Sequence, residues 1–133
     1  MDYVNTVAFD DTDAGGIVFF GNYFRIAHRA LEHYLPSIGI PWKNWFGSES
    51  LCVPLRHVEA DYRAPLFPGE QYRVKVLISK IGETSVSFEF EVLNAQGQST
   101  STVKTTHVFM DLNSHKKMTI PTDIVTKLKA QMV

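Results

Sequence analysis

Residues 22–36 read NYFRIAHRALEHYLP, and their pattern decides the fold class. Tyr23, Ala27, Ala30, Leu31 and Tyr34 recur at helical spacing while Arg25, His28, Arg29, Glu32 and His33 fall mostly on the other faces. That is the signature of one long amphipathic helix. Asn22 is a favourable N-cap, and Pro36 disfavours helical geometry at Leu35, so the predicted helix runs over 22–35. After it, PSIGIPWKNWFGSES (36–50) reads as a structured connection in which Pro41 opens a short helical turn and Gly47 ends it, with two tryptophans supplying bulk.

The second half of the chain changes character. LCVPLRHVEADYR (51–63), EQYRVKVLISK (70–80), TSVSFEFEVLN (84–94) and STSTVKTTHVFMDL (99–112) all favour strands. In the third, Val86, Phe88, Phe90 and Val92 alternate with Ser85, Ser87, Glu89 and Glu91, the period of a strand with one buried face. Short turns at Ile81-Gly82-Glu83 and Asn94-Ala95-Gln96-Gly97 join neighbours into an antiparallel meander. Pro54 demotes the start of its strand to an edge or a bulge. The first nine residues add a strand, and residues 121–132 read as a short terminal helix packing Ile124 and Leu128. One long helix among about five strands is an α+β pattern, with the sheet curling around the helix to bury it. A curled sheet leaves edge strands, and pairing between two copies covers them, so a homodimer is expected.

With 133 residues the chain fits a single domain, and at 44% hydrophobic and 20% charged residues it has the composition of a packed globule. The formal net charge of −1 disfavours broad nucleic-acid binding, so any anionic ligand must meet a local basic cluster. The lone Cys52 can form no internal disulfide and no Cys-rich zinc site, which makes a reducing, cytoplasmic setting the default expectation. No window approaches transmembrane length and the N-terminus lacks a signal-peptide pattern, so neither a membrane nor processing is expected.

Directly before the helix stands DTDAGGIVFFGNYF (11–24), which obeys neither the loop nor the strand rule. A calcium loop starting at Asp11 would need a bidentate Glu where Asn22 stands. A P-loop from Gly16 to Gly21 would need Lys and Ser or Thr where Asn22 and Tyr23 stand. Gly47-Ser48-Glu49-Ser50-Leu51 lacks the last glycine of a nucleophile elbow. Two readings remain. In one, Asp13 caps a turn and Ile17-Val18-Phe19-Phe20 is core. In the other, the adjacent glycines let a substrate approach the backbone, the free N–H groups of the helix start stabilise an oxyanion, and Asp13 attacks a carbonyl or orients a water.

The same stretch closely resembles the active-site signature of hotdog-fold acyl-CoA thioesterases of the 4-hydroxybenzoyl-CoA thioesterase family: an Asp, a Gly-containing loop, an apolar run and an aromatic at the helix start. GIPW after the helix, PLRHVEADYRAPLFPGE, and THVFMDL followed by KKMTIP extend the likeness over nearly the whole chain, 1–133 as one hotdog domain. Pro54-Leu55, His57, Asp61-Tyr62, Ala64-Pro65 and Gly69 are most similar to the 1,4-dihydroxy-2-naphthoyl-CoA thioesterases of phylloquinone synthesis. The resemblance implies Asp13 as catalytic carboxylate, as nucleophile or as base for water, and the backbone N–H of Phe20 and Gly21 as oxyanion donors. It implies an acyl pocket of Gly16, Ile17, Val18 and Tyr23 with Pro54, Leu55 and His57 from a second protomer. Some relatives carry His or Tyr where Phe20 stands; Phe20 removes that polar group and favours an aromatic or apolar acyl chain.

Coenzyme A is then part of the substrate, with no metal and no other cofactor. Arg63, Lys80, Ile81, Gly82, Thr84 and Ser85 are implied for its phosphates and pantetheine, with a salt bridge between protomers as the competing role for Arg63. The implied partners are the acyl-CoA substrate and further copies of the chain, a homodimer as minimal active unit within a homotetramer. Competing functions are a short-chain or general acyl-CoA thioesterase, a hotdog dehydratase or hydratase, and a non-catalytic acyl-CoA-binding module. His28 and His33 lie well inside the helix while Asp13 stands ahead of it, which favours hydrolysis over His-dependent dehydration.

Overall fold

The alternation in TSVSFEFEVLN is realised as a strand, β5 (Ser85–Leu93), whose Val86, Phe88, Phe90 and Val92 are all buried while the residues between them are half-covered. The computed structural model describes residues 2–132. The other elements are β1 (Tyr3–Thr6), α1 (Asn22–Ser37), α2 (Trp42–Trp45), β2 (Leu51–Cys52), β3 (Leu55–Tyr62), β4 (Gln71–Ile81), β6 (Ser99–Val108), β7 (Met110–Asp111) and α3 (Thr122–Lys129). The main sheet is antiparallel and five-stranded in the order β1-β4-β5-β6-β3, with Tyr3 opposite Val74 and Thr6 opposite Gln71. The class is α+β, as expected; of the four strands expected as one meander, β4-β5-β6 form it, while β3 lies beside β6 at the edge of the sheet and not beside β4. Among the described residues no helix is long and apolar enough to cross a membrane.

Two expectations about strands are corrected. The stretch 51–63 is not one strand: it breaks at Val53-Pro54 into β2 and β3. β2 leaves the main sheet and pairs with β7, Leu51 opposite Asp111 and Cys52 opposite Met110. The stretch 99–112 breaks in the same way, into β6 and β7. Proline has no N–H for a ladder, but its carbonyl still accepts, here from Val108 N–H at 3.0 Å.

Both ends of α1 also differ from expectation. Asn22 is the first helical residue, and its side-chain amide donates to the Asp11 carbonyl at 2.8 Å. At the far end Pro36 lies inside the last turn and does not stop the helix. The stop is Gly39, at φ +90°, with Gly39 N–H donating to the Pro36 carbonyl (3.1 Å) and Ile40 N–H to that of Leu35 (3.0 Å). This is a Schellman closure, which needs a left-handed residue that glycine supplies without a Cβ penalty.

The chain forms two compact units. The first comprises the described residues up to Tyr34 with Glu59–Val76 and Phe90–Val103. Its core includes Tyr23, Ile26, Ala27, Ala30, Leu31 and Tyr34 of α1 together with Leu66, Tyr72, Val74, Phe90 and Val92. The second comprises Leu35–Val58, Leu77–Glu89 and the described residues from Lys104 on. There Trp45 stands edge-on to Phe109 (5.1 Å between centroids) and Phe88 (6.0 Å), and Ile124 and Leu128 of α3 are buried as the sequence predicts.

Candidate active site

Within the first unit, residues 12–18 fold back on themselves. Thr12 and Val18 form an antiparallel bridge, Asp13 N–H donates to the Ile17 carbonyl (3.0 Å), and Gly16 N–H returns to that of Asp13 (3.0 Å). Gly16 adopts φ +78°, the left-handed conformation that closes such a turn. Gly15 contributes differently, through an N–H that donates to Asp13 Oδ1 at 2.8 Å. Asp13 is therefore an exposed carboxylate whose orientation is fixed by one backbone donor. Asp11, the carboxylate two residues earlier, is buried; its Oδ2 accepts from Ala8 N–H (3.0 Å) and its carbonyl from Phe19 N–H (3.0 Å). It braces the hairpin that carries Asp13.

The apolar run 17–20 is not uniformly core. Val18 is buried and tied by its N–H to the Leu66 carbonyl (2.9 Å), and Ile17 is half-buried. Phe19 and Phe20 are 41% and 63% exposed, so in the single chain they do not shield the site from solvent. The chain then enters α1 through two N–H groups, of Phe20 and Gly21, that have no acceptor among the described residues. The groups on either side are satisfied: Phe19 N–H by Asp11, Asn22 N–H by the Phe19 carbonyl (2.9 Å). The free pair stands at the positive end of a sixteen-residue helix, where developing negative charge is stabilised.

Asp13, Ile17, Val18, Phe20 and Tyr23 line one open cavity of about 410 Å³ together with Tyr62, Arg63, Ala64 and Pro65. Tyr62 stands edge-on to Tyr23 (5.2 Å) and Phe20 (6.4 Å), so one wall is aromatic. Burial pushes the hydroxyls of Tyr23 and Tyr62 above the usual tyrosine range. Arg63 Nη2 donates to Ser99 Oγ and Thr102 Oγ1, both at 2.6 Å, and the guanidinium has no carboxylate partner among the described residues. Its positive charge is held by neutral hydroxyls.

Of the residues singled out in the sequence, Gly16 and Gly21 adjoin this cavity in the chain, and Arg63 lines it. Pro54, Leu55, His57, Lys80, Ile81, Gly82, Thr84 and Ser85 belong to the second unit and are not among its lining residues. There the β4–β5 turn is closed by Gly82 N–H to the Ser85 carbonyl (2.8 Å), and the Thr84 carbonyl is taken by Phe109 N–H (2.8 Å). Neither helix histidine lines the cavity: His28 pairs with Glu32 on the surface (3.1 Å) and His33 packs on Tyr3 (5.7 Å). No histidine is among the described residues that line the cavity. Tyr62, Ala64 and Pro65 carry part of the family resemblance, but sequence reasoning did not place them in the site; the signal for Tyr62 is an aromatic at the end of a strand that must meet the helix start.

Asp13 and Phe20 thus line one cavity with an aromatic wall on an α+β scaffold, and the chain belongs to the thioesterase-like superfamily, whose family model matches residues 7–128. It is similar to a 1,4-dihydroxy-2-naphthoyl-CoA hydrolase from Nostoc punctiforme, 34% identical over 127 residues, covering 96% of this chain and 85% of the relative. It is also similar to one from Crocosphaera subtropica, 31% identical over 113 residues, covering 85% and 82%. A solved 1,4-dihydroxy-2-naphthoyl-CoA thioesterase from Synechocystis superposes with a TM-score of 0.88 at 26% identity, covering 96% of this chain and 94% of that one.

Proposed function

We propose that the protein hydrolyses an aromatic acyl-CoA thioester to the free acid and coenzyme A, with the 1,4-dihydroxy-2-naphthoyl thioester of phylloquinone and menaquinone synthesis as its substrate. The names of its relatives support that acyl group, and the ring-lined wall of Phe20, Tyr23 and Tyr62 suits it. The observation that carries hydrolysis is that Asp13 and Phe20 line one cavity, with the free N–H of Phe20 followed in the chain by that of Gly21. In one route Asp13 takes a proton from water as the hydroxide adds to the thioester carbonyl. In the other its carboxylate adds directly and the mixed anhydride is then hydrolysed. Both pass through a tetrahedral oxyanion facing the two N–H groups, and both expel coenzyme A as a thiolate. Coenzyme A enters as part of the substrate, and the chemistry calls on no metal or other cofactor.

The reading extends to the assembly. The chain acts as one hotdog domain, its sheet wrapped around α1, in a homodimer within a homotetramer, in the cytoplasm. β3 is an outer strand of the sheet and is exposed along nearly its whole length, with Leu55, Val58 and Tyr62 open to solvent. Such an edge is the natural contact for a second copy. Pro54, Leu55 and His57 then reach the acyl pocket from that copy. Arg63, with Lys80, Ile81, Gly82, Thr84 and Ser85, takes the phosphates and pantetheine.

Free-thiol release from a panel of aromatic and aliphatic CoA thioesters tests the proposal, with the parent protein against Asp13→Asn. Aromatic thioesters are expected to turn over, with a loss of at least about a hundredfold in the folded variant. Preference for short aliphatic thioesters would instead mark a general thioesterase. Tight coenzyme A binding without thiol release would mark a binding module.

A further inference from the structure

The two free N–H groups are held by different means. In a trans peptide the C=O and the N–H point in opposite directions from one rigid plane, so fixing the carbonyl aims the N–H. The Phe19–Phe20 plane is fixed locally, because its carbonyl accepts the Asn22 N–H at 2.9 Å. The Phe20–Gly21 plane has only a long local contact, 3.4 Å from Tyr23 N–H. Its short bond comes from across the chain: Tyr62 Oη donates to the Phe20 carbonyl at 2.8 Å, over a separation of 42 residues. This plane precedes a glycine, the residue that restrains its own backbone least.

We propose that Tyr62 is a positioning residue for hydrolysis, its hydroxyl holding the Phe20 carbonyl so that Gly21 N–H serves as the second oxyanion donor. The inference rests on the thioesterase reading above. The Tyr62 ring is itself seated against Tyr23 and Phe20, so the hydroxyl is aimed by packing. Accepting this hydrogen bond also polarises the Phe20–Gly21 amide and strengthens its N–H as a donor. Gly21 cannot gain a side chain without disturbance, since a Cβ there would stand 2.9 Å from Phe19 Cε2.

The test is Tyr62→Phe, which keeps the ring and removes the hydroxyl. With a CoA thioester that the parent hydrolyses, kcat is expected to fall about tenfold while KM stays within about twofold. That loss is smaller than the ~10²–10³ for deleting an oxyanion donor outright. A second readout separates positioning from packing: the infrared carbonyl stretch of 2-naphthoyl-CoA bound to Asp13→Asn, with and without Tyr62→Phe. The red shift on binding is expected to shrink when the hydroxyl is lost. An unchanged kcat, or an unchanged carbonyl frequency in a variant of parent-like assembly, would overturn the positioning role while leaving hydrolysis standing. A parent protein that releases no thiol from any thioester would overturn both.

Discussion

A β-carbon on Gly15 would stand 3.0 Å from Asp13 Oδ1, the same oxygen that accepts the Gly15 N–H at 2.8 Å. The adjacent glycines thus serve different ends, Gly15 for close approach to the carboxylate and Gly16 for a left-handed backbone. Gly15→Ala is expected to displace the carboxylate by a few tenths of an ångström and to lower kcat about tenfold, with the melting temperature nearly unchanged. Gly16→Ala should do the reverse: a Cβ there meets nothing within 4 Å, but the φ of +78° costs an L side chain about 1–2 kcal/mol of stability. Steady-state kinetics beside thermal melts of the two variants separates the two roles.

Arg63 carries a charge that only Ser99 and Thr102 hydroxyls hold. A guanidinium with no carboxylate partner among the described residues is available to an anion, and the phosphates of coenzyme A are the anions at hand. Arg63→Met is expected to raise KM for a CoA thioester about tenfold and to leave the thioester of N-acetylcysteamine, which has no phosphate, unaffected. If Arg63 instead bridged two protomers, the two substrates would suffer alike and the assembly would weaken.

On β3, Val58 is 40% exposed on an outer strand. Lysine at such a position is a device proteins use against edge pairing. Val58→Lys is expected to shift the protein toward monomer in sedimentation velocity and to make turnover per chain fall on dilution, because mass action then governs the fraction of paired chains. A parent that sediments as a monomer, or a monomeric variant with full turnover, would dismiss the paired site.

Much of the scaffold was legible in the sequence because it follows from period. Val86 to Val92 alternate and are buried, and Tyr23 to Tyr34 lie on one stripe of α1 and are buried. What escaped depends on competition or on distance. Pro36 reads as a stop, yet it removes one N–H from a last turn that Gly39 closes three residues on. One of the two readings of Ile17-Val18-Phe19-Phe20 makes it core, but only Val18 is buried, and Phe19 and Phe20 are exposed. Asp13 was legible, since its turn chemistry is local; the bond from Tyr62 to the Phe20 carbonyl was not, since it depends on a strand 42 residues away.

Tyr72 predicts how the fold responds to alkali. It is almost fully buried on β4, with Tyr3 of the neighbouring strand 6.3 Å away between ring centroids. Burial above all, and then the charge Tyr3 would acquire, push its hydroxyl well above the ordinary value of 10.0. Burial raises Tyr23, Tyr34 and Tyr62 in the same direction. The sign follows from proton linkage. Near pH 10 the unfolded chain loses tyrosine protons that the folded chain keeps, so rising pH favours unfolding. Stability from these groups is fully present below pH 10.0 and is lost as the pH climbs from there through the raised folded values. Denaturant midpoints are expected to stay level with respect to these tyrosines up to about pH 9 and to decline above about pH 10. Tyr72→Phe keeps the buried ring and removes the most strongly shifted proton, so its decline is expected to be shallower than that of the parent. Equal slopes for the two proteins would mean that Tyr72 ionises no later folded than unfolded.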